Sequence, residues 1–247
     1  MKKIVIAILL VLLIGATYIY MKPVTFERNS VYLVMSEPQE QLGRSFHVAI
    51  TYHGIKTISV EGIDDVKTTK QVEPAYHLNL IDEVTEGRFL QKKHTKTMLW
   101  NVTKQNASEF SKVRYKEFGQ EKTVDVGMHH YELVTTPSVK LISLDRIEHN
   151  DRVYRIIVDV EEKSIIKAEF TNPKIPASIT KETKDGKDSF VIQVEQLPKD
   201  IDRFETSIRF TVMEDGSKTV LYGDGRISIT KDSIGLDGTS ASYVLSN

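Results

Sequence analysis

Histidine is the residue type in this chain best suited to bind a metal ion or move a proton near neutral pH. The chain has seven histidines, and no HExxH motif brings two of them together. They are His47, His53, His77, His94, His129, His130 and His149. His129 and His130 are adjacent in a segment with strand character, where neighbouring side chains point to opposite faces. That pair cannot share a metal ion without a bulge, so no histidine is predicted as a metal ligand.

The motif Ser-x-x-Lys supplies the serine nucleophile of some exported acyl-transfer enzymes, provided that a helical turn brings the lysine beside the serine. The motif occurs at Ser164–Lys167, Ser178–Lys181 and Ser228–Lys231. Each copy falls in a predicted strand or loop, and the companion Lys-Thr-Gly is absent from the sequence. The sequence also lacks Gly-x-Ser-x-Gly, a P-loop and a Gly-x-Gly-x-x-Gly. We therefore predict no catalytic residue and no cofactor-binding residue.

Carboxylates offer two further kinds of chemistry. Asp64–Asp65 and Glu161–Glu162 are adjacent pairs, which we interpret as solvated turn residues because the two acids of a glycosidase must face each other across a cleft. Asp215-Gly216, Asp224-Gly225 and Asp237-Gly238 place acids in turns where calcium ligands could converge. The EF-hand spacing is not met, and Asp-Gly is an ordinary hairpin turn. No metal site is predicted.

Composition limits the class of partner. The chain has 247 residues, of which 40% are hydrophobic and 27% charged, with a formal net charge of −1. This is enough apolar material for a sizeable core, and the even charge balance argues against nucleic-acid binding, which needs a basic surface. The chain has no cysteine, which excludes disulfides, thiol nucleophiles, thiolate metal sites and a lipid-modified cysteine.

The amino terminus predicts a membrane segment. Lys2 and Lys3 precede an uncharged run from Ile4 to Met21. Roughly 18 apolar residues in a helix match the hydrocarbon thickness of a bilayer. Lysines stay on the cytoplasmic side, so residues after Pro23 are expected outside the cytoplasm. We define residues 1–28 as a transmembrane anchor or signal segment. We favour an uncleaved anchor because the sequence around Ala16 is a poor cleavage site; cleavage would make the protein secreted.

The rest of the chain reads as short strands. Apolar residues alternate with polar ones along residues 46–52, 154–160, 190–194 and 208–212. Turn signals occur at His53-Gly54, Glu86-Gly87, Asp185-Gly186, Asp215-Gly216 and Asp224-Gly225. Residues 103–118 lack a clear period, and we interpret them as a loop that leads into a strand at 113–118. This pattern predicts an all-β sandwich or barrel.

An internal similarity indicates a tandem duplication. Three segments match at an offset of about 108 residues and a fourth at about 110. The matches pair 30–34 with 138–142, 44–50 with 152–158, 58–61 with 166–169, and 97–102 with 207–212. The last match pairs Trp100 with Phe210, which we expect in the cores. The alternative is a single large β-domain whose alternating strands resemble one another.

Duplication predicts two tandem immunoglobulin-like β-sandwich domains after the helix, at residues 29–136 and 137–247. Units of about 110 residues with seven strands have the size of such a sandwich. The resemblance concerns architecture only, because the disulfide and tryptophan signature of antibody domains is absent.

We therefore predict a non-catalytic, membrane-anchored binding or scaffolding protein of a bacterial cell envelope. Its partners would be the membrane and a protein or envelope polymer, with no nucleic acid and no cofactor. An edge strand such as Val31–Met35 would bind a partner by β-augmentation. The alternatives are an exported hydrolase of cell-wall or polymer substrates, with a site assembled from distant residues, and an accessory subunit of a membrane complex.

Overall fold

The computed structural model describes residues 2–36, 43–68, 79–88, 91–103, 107–146, 153–159, 164–184, 187–230, 234–238 and 242–243. These residues form one helix and 20 strands. The helix is α1 (Lys2–Met21), and the strands are β1 (Thr25–Phe26), β2 (Asn29–Ser36), β3 (Gly43–His53), β4 (Ser59–Asp64), β5 (Lys67–Thr68), β6 (Asn79–Arg88), β7 (Gln91–Thr103), β8 (Ala107–Glu117), β9 (Gln120–Val134), β10 (Ser138–Arg146), β11 (Val153–Asp159), β12 (Ser164–Phe170), β13 (Ala177–Lys184), β14 (Lys187–Val194), β15 (Arg203–Thr206), β16 (Ile208–Glu214), β17 (Ser217–Gly223), β18 (Gly225–Thr230), β19 (Ile234–Gly238) and β20 (Ser242–Tyr243).

The strands assemble into three sheets. The four-stranded sheet has the order β1-β3-β7-β6, and the seven-stranded sheet has the order β12-β16-β17-β10-β11-β14-β13. The nine-stranded sheet runs β20-β19-β18-β15-β2-β9-β8-β4, with β5 also paired to β8. The prediction of an all-β fold with immunoglobulin-like sandwiches after one apolar helix is confirmed.

The period-two alternation predicted from the sequence places the apolar faces inward. On β3, the four alternate residues Phe46, Val48, Ile50 and Tyr52 are all buried. The same holds on three later strands for Tyr154 and Ile156, for Phe190, Ile192 and Val194, and for Ile208, Phe210 and Val212. Burying one such side chain contributes roughly 1.5–3 kcal/mol, so these faces supply the main stabilisation of the sheets.

Two sets of strands have the same pairing order. Strands β3-β7-β6 and β4-β8-β9-β2 precede residue 136, and strands β11-β14-β13 and β12-β16-β17-β10 follow it. The first long strand of each set runs parallel to the last, β2 beside β9 and β10 beside β17. We call β1–β9 the first sandwich and β10–β20 the second sandwich. The duplication itself stays a prediction.

The apolar cores support the predicted domain boundary at 136/137, and the sheet pairing argues against it. One large apolar cluster draws only on residues 139–229, and two others draw on residues 24–133. The nine-stranded sheet nevertheless crosses the boundary, because β15 of the second sandwich pairs in parallel with β2. The division into two domains therefore stays a prediction.

A buried polar network joins the two sandwiches; we call Ser30, Thr171, Asn172, Thr206 and Ser207 the junction network. Asn172 Nδ2 donates to the backbone oxygens of Ser30, at 2.8 Å, and Glu205, at 3.2 Å. Thr171 Oγ1 donates to the Tyr32 oxygen at 2.8 Å. Where β15 ends, the Ser207 hydroxyl accepts a bond from the backbone N–H of Val34 at 3.2 Å. Side chains thus supply the hydrogen bonds of backbone groups where the β2–β15 pairing ends.

Three expectations about strands are wrong. Val31–Met35 is no edge strand, since β2 lies between β9 and β15. Residues 107–112 are strand rather than loop: β8 has a register shift between Phe110 and Lys112, which spaces the inward residues Phe110 and Val113 three apart and hides the period. Trp100 lies on β7, which corresponds in sheet order to β14, so it is no counterpart of Phe210 on β16.

The predicted turns have mixed outcomes. Asp215-Gly216 is the two-residue turn between β16 and β17, and β3 ends at His53. Glu86-Gly87 is not a turn, because both residues lie inside β6 and pair with β7. Asp224-Gly225 marks the passage from β17 in one sheet to β18 in another. Asp185-Gly186 lies outside the described residues, as do the side chain of Trp100 and the loop before β6.

Candidate functional site

The adjacent histidines of β9 point to opposite faces, as predicted. His129 is buried in the first sandwich, where it stacks on Phe110 with ring centroids 4.5 Å apart and hydrogen-bonds the Tyr131 hydroxyl at 3.3 Å. Burial lowers the pKa of His129 to about 4, outweighing a hydrogen bond with the backbone at Val126. His129 is therefore a neutral core residue at physiological pH.

His130 lies on the outer face between two carboxylates. Its Nδ1 is 2.8 Å from Glu109 and its Nε2 is 3.5 Å from Glu132, while the ring stacks on Tyr32 at 3.9 Å. Burial acts to lower the pKa of His130, but the bonds and charges of Glu132 and Glu109 outweigh it and raise that pKa. Both ring nitrogens of His130 face carboxylates of the chain itself. His130 therefore connects β8 and β9 on the outer face of the sheet and has no nitrogen directed at a substrate.

Of the three remaining described histidines, two interact with groups of the chain itself and one is exposed on a strand. His94 stacks on Tyr52 at 4.7 Å, and its ring nitrogens lie 3.0 Å from the Thr85 hydroxyl and 3.2 Å from the Gly54 oxygen. His53 lies 2.9 Å from Glu27, and His47 is exposed on β3. His77 and His149 lie outside the described residues.

Where the structure describes the Ser-x-x-Lys copies, they lie on strands and not on a helix. Ser178 and Lys181 lie on β13, where Lys181 Nζ donates to the Ile165 oxygen at 2.8 Å. Lys167 of β12 pairs with Glu169 at 2.7 Å. Ser228 lies on β18 and accepts a bond from Arg203, and its partner Lys231 lies outside the described residues. The helical turn that the chemistry needs does not form in these strands.

The acidic candidates are separated or used within the fold. Asp64 pairs with Arg114 at 3.0 Å, and Asp65 accepts a bond from Ser111 at 2.9 Å. Asp215 and Asp224 stand at opposite ends of β17, and Asp224 accepts the Leu141 N–H at 2.9 Å. Among the described residues, no group of three histidines or acids is placed to hold a metal ion. Glu161–Glu162 lies outside them.

The end of α1 is held against the first sandwich. Only Lys22 and Pro23 separate the helix from Val24, which is buried in an apolar cluster with Tyr52, Ile58 and Tyr115. The Val24 N–H donates to Glu117 Oε1 at 3.4 Å. Since the three residue steps from Met21 to Val24 span at most about 10 Å, the sandwich lies directly at the helix end. The span Ile4–Met21 is long and apolar enough to cross a membrane, and none of it is buried.

A buried ion cluster lies beside this connection. Glu117 contacts Lys56 Nζ at 2.7 Å and Lys122 Nζ at 2.5 Å. Burial acts to raise the pKa of Glu117, but the hydrogen bonds from Lys122 and Lys56 outweigh it and lower that pKa. The next residue, Phe118, forms the hairpin tip with Gly119, and its ring lies 3.8 Å from Lys56 Nζ and 5.7 Å from the Tyr20 ring of α1.

Corresponding hairpins of the two sandwiches differ in their tip residue. Both tips have positive φ at two successive residues, 52° and 77° at Phe118-Gly119 and 48° and 76° at Asp215-Gly216. This is the geometry of a type I′ turn, for which Asp-Gly and Asn-Gly are the favoured sequences. An aromatic residue at the first position of such a turn costs conformational energy, because bulky side chains rarely adopt positive φ. The Phe118 side chain is also 49% exposed. The first sandwich thus breaks a local rule that the second obeys.

Corresponding edge strands differ as well. Every residue of β6 from Leu80 to Gly87 is exposed, including the large apolar residues Leu80, Ile81 and Val84 at 53%, 48% and 44%. On β13, the strand in the same position of the second sandwich, Ala177 and Ile179 pack against the core, and Ser178, Thr180 and Glu182 are exposed. Among the described strands, none pairs with the outer edge of β6. We call Leu80–Gly87 the β6 edge.

Sequence reasoning missed both features. The β6 register shift between Leu80 and Asp82 disrupts the alternation, and a Phe-Gly pair carries no turn signal as strong as Asp-Gly. Three large apolar residues and three acids on one strand gave the available signal, because edge strands that are protected against pairing carry charges without large exposed apolar side chains.

Comparison with known proteins gives distant structural similarities. No family model and no curated protein matches the chain. A solved structure of zebrafish RET cadherin-like domains 1 to 4 matches 84% of this chain and 50% of that chain at 10% identity, with a TM-score of 0.23. A structure of titin Ig tandem domains matches 81% of this chain and 93% of that chain at 8% identity, with a TM-score of 0.20. The chain thus spans half the length of the RET chain.

Proposed function

We propose that this chain is a membrane-anchored, non-catalytic binding or scaffolding protein whose sandwiches lie outside the cytoplasm in a cell envelope. The observation that carries the proposal is the β6 edge, an exposed strand with three large apolar side chains. Sandwich proteins ordinarily shorten, cover or charge such an edge, because it is a template for pairing with another chain. On β13 of the second sandwich the exposed residues are polar, whereas β6 exposes three large apolar side chains beside its acids.

The partner is proposed to add a strand beside β6. Backbone groups on the open side of an edge strand supply hydrogen bonds, and alternate side chains supply specificity. The acids Asp82, Glu83 and Glu86 accompany the apolar residues, and among them Glu83 pairs with Lys96 of β7 at 3.4 Å. An extended segment with apolar residues and basic neighbours fits this chemistry. The acids would also repel a second copy of the same edge.

The anchor and the junction network would hold this edge at a set distance from the membrane. The two-residue connection after α1 leaves little freedom at the first sandwich. The continuous nine-stranded sheet and the buried Asn172 bonds join the second sandwich to the first. A short, rigid connection between the membrane helix and the sandwiches suits a scaffold that presents one binding edge.

Site-specific photocrosslinking tests the proposal. A photoreactive phenylalanine analogue replaces Val84 of β6 in the full-length chain in its native membrane. A matched variant carries the analogue at Thr180 in the middle of β13, which is also exposed. We expect one discrete crosslinked protein from Val84, lost when Ile81→Lys is added, and none from Thr180. Equal labelling at both positions, or none at Val84, would contradict binding at the β6 edge.

A further inference from the structure

The hairpin tip of the first sandwich combines three properties that are unfavourable in water. Phe118 is a large aromatic residue, it is half exposed, and its φ of 52° lies in a region that such side chains rarely adopt. The matched tip of the second sandwich has Asp215 in the same geometry with φ 48°. Because Asp and Asn tolerate this conformation, the aromatic residue needs a compensating contact.

Lys56 Nζ, 3.8 Å from the ring centroid, supplies part of that contact, and the ring stays half exposed. The position of Phe118 identifies what covers the rest. Its ring lies edge-on to Tyr20, with centroids 5.7 Å apart. Tyr20 lies in the last turn of the apolar span Ile4–Met21. A tyrosine at the end of a membrane span lies at the headgroup level, so Phe118 stands at the same depth.

Charges around the tip have the arrangement expected at this depth. Lys22 follows the span and lies 6.0 Å from the Tyr18 ring, and Lys122 is about two-fifths exposed beside Glu117. Glu117 is buried between Lys56 and Lys122. Glu121, whose side chain is more than half exposed, lies 3.6 Å from Arg114 Nη1, so each of these two acids beside the tip has a cationic partner. Long lysine side chains at an interface extend their ammonium groups toward phosphates.

We propose that the β8–β9 hairpin tip, Phe118–Gly119, inserts into the headgroup and carbonyl region of the phospholipid bilayer beside the end of α1. This inference rests on the proposed membrane anchor and adds a second lipid contact to it. Two contacts, a helix and a hairpin tip, would set the tilt of the first sandwich, which a single helix with a flexible connection does not do.

Fluorescence quenching by brominated lipid tests this insertion. The native Trp100 is replaced (Trp100→Phe), and Phe118→Trp is introduced into the full-length chain in phosphatidylcholine vesicles. Phosphatidylcholine brominated near the carbonyl end of its acyl chains should quench the introduced tryptophan at least about twofold. Asp215→Trp in the same background is the matched control at the other hairpin tip, and we expect no quenching there.

The outcomes separate the two proposals. Vesicle flotation without quenching at position 118, or with equal quenching at position 215, would overturn insertion and leave the anchor standing. Failure to float would overturn the anchor and insertion together. The unsubstituted chain gives a second readout in lipid nanodiscs: a spin label near the lipid headgroup should broaden the Gly119 amide resonance and leave Gly216 sharp. Equal sharpness of both resonances would contradict insertion.

Discussion

The first and second sandwiches share a strand order and differ at the positions where a sandwich meets its surroundings. At the tips of the β8–β9 and β16–β17 hairpins the first sandwich has Phe118 and the second has Asp215, in the same backbone conformation. At the matched edge strand the first exposes apolar residues and the second packs its apolar residues inward. The shared core explains neither difference. The comparison is therefore our reason for proposing the contacts with other molecules in the first sandwich.

The largest predicted effect tests how far the sandwiches are one body. Phe210 is fully buried in the second core, and Phe210→Ala should lower the free energy of unfolding by about 3–5 kcal/mol through the lost burial and the cavity. Because the nine-stranded sheet and the junction network cross the boundary, probes in both sandwiches should shift together in denaturant unfolding. A shift confined to probes after residue 137 would show that the sandwiches unfold independently.

The second effect is acid sensitivity that originates in the first sandwich. The pKa of His129 falls from 6.5 to about 4 on folding, so its stabilising contribution is full above pH 6.5 and is lost as pH falls from 6.5 toward 4. The loss amounts to about 3 kcal/mol across that window. Protection factors of β9, corrected for the intrinsic pH dependence of exchange, should fall between pH 7 and pH 5, and those of β17 should fall with them because the two sandwiches share one sheet. His129→Phe should remove the difference, and an unchanged pH dependence in that variant would contradict this origin.

His130 should respond in the opposite direction. Its pKa is raised, so its contribution is full below pH 6.5 and is lost as pH rises through the raised value. His130→Gln should therefore reduce stability more at pH 6 than at pH 8.5, as measured by urea unfolding. A larger effect at the higher pH would show that the imidazolium is not the stabilising form.

The third effect weakens the connection between the sandwiches. Asn172→Ala leaves the Ser30 and Glu205 oxygens buried without this donor, at a cost of roughly 1–3 kcal/mol. Unfolding should then separate into two transitions where the unsubstituted chain shows one. Thr180→Ala on the exposed face of β13 is the control and should leave the unfolding curve unchanged. A single transition in Asn172→Ala would assign the coupling to the β2–β15 backbone pairing.

The smallest effect is an exchange of the hairpin tips. Asp215→Phe should destabilise the second sandwich by about 1 kcal/mol, because the aromatic residue adopts positive φ without lipid. Phe118→Asn should stabilise the first sandwich of the full-length chain by a similar or smaller amount in mild detergent. Thermal unfolding of the two variants measures both changes, and a loss of stability in Phe118→Asn would show that its contact with Tyr20 outweighs the backbone strain.

Features that depend on neighbouring residues, such as strand alternation and tight turns, are predictable from the sequence. Phe46 to Tyr52 alternate because one face of β3 is buried, and Asp215-Gly216 is a turn because both residues tolerate positive φ. The sequence does not predict what depends on distant strands. The central position of β2 results from parallel pairing with β9 and β15, which are distant in the sequence. The register shift near Ser111 interrupts the alternation of β8. The roles of Val84 and Phe118 depend on exposure, which alternation alone does not reveal.

Hydrogen exchange of the full-length chain in its native membrane tests the central claim most directly. Exchange is compared with that of the purified chain in nanodiscs for peptides that cover β6 and β13. A partner strand on the β6 edge would slow exchange of residues 79–88 in the native membrane and leave residues 177–184 unchanged. Equal exchange of residues 79–88 in both settings would contradict the proposal that the first sandwich presents a binding edge.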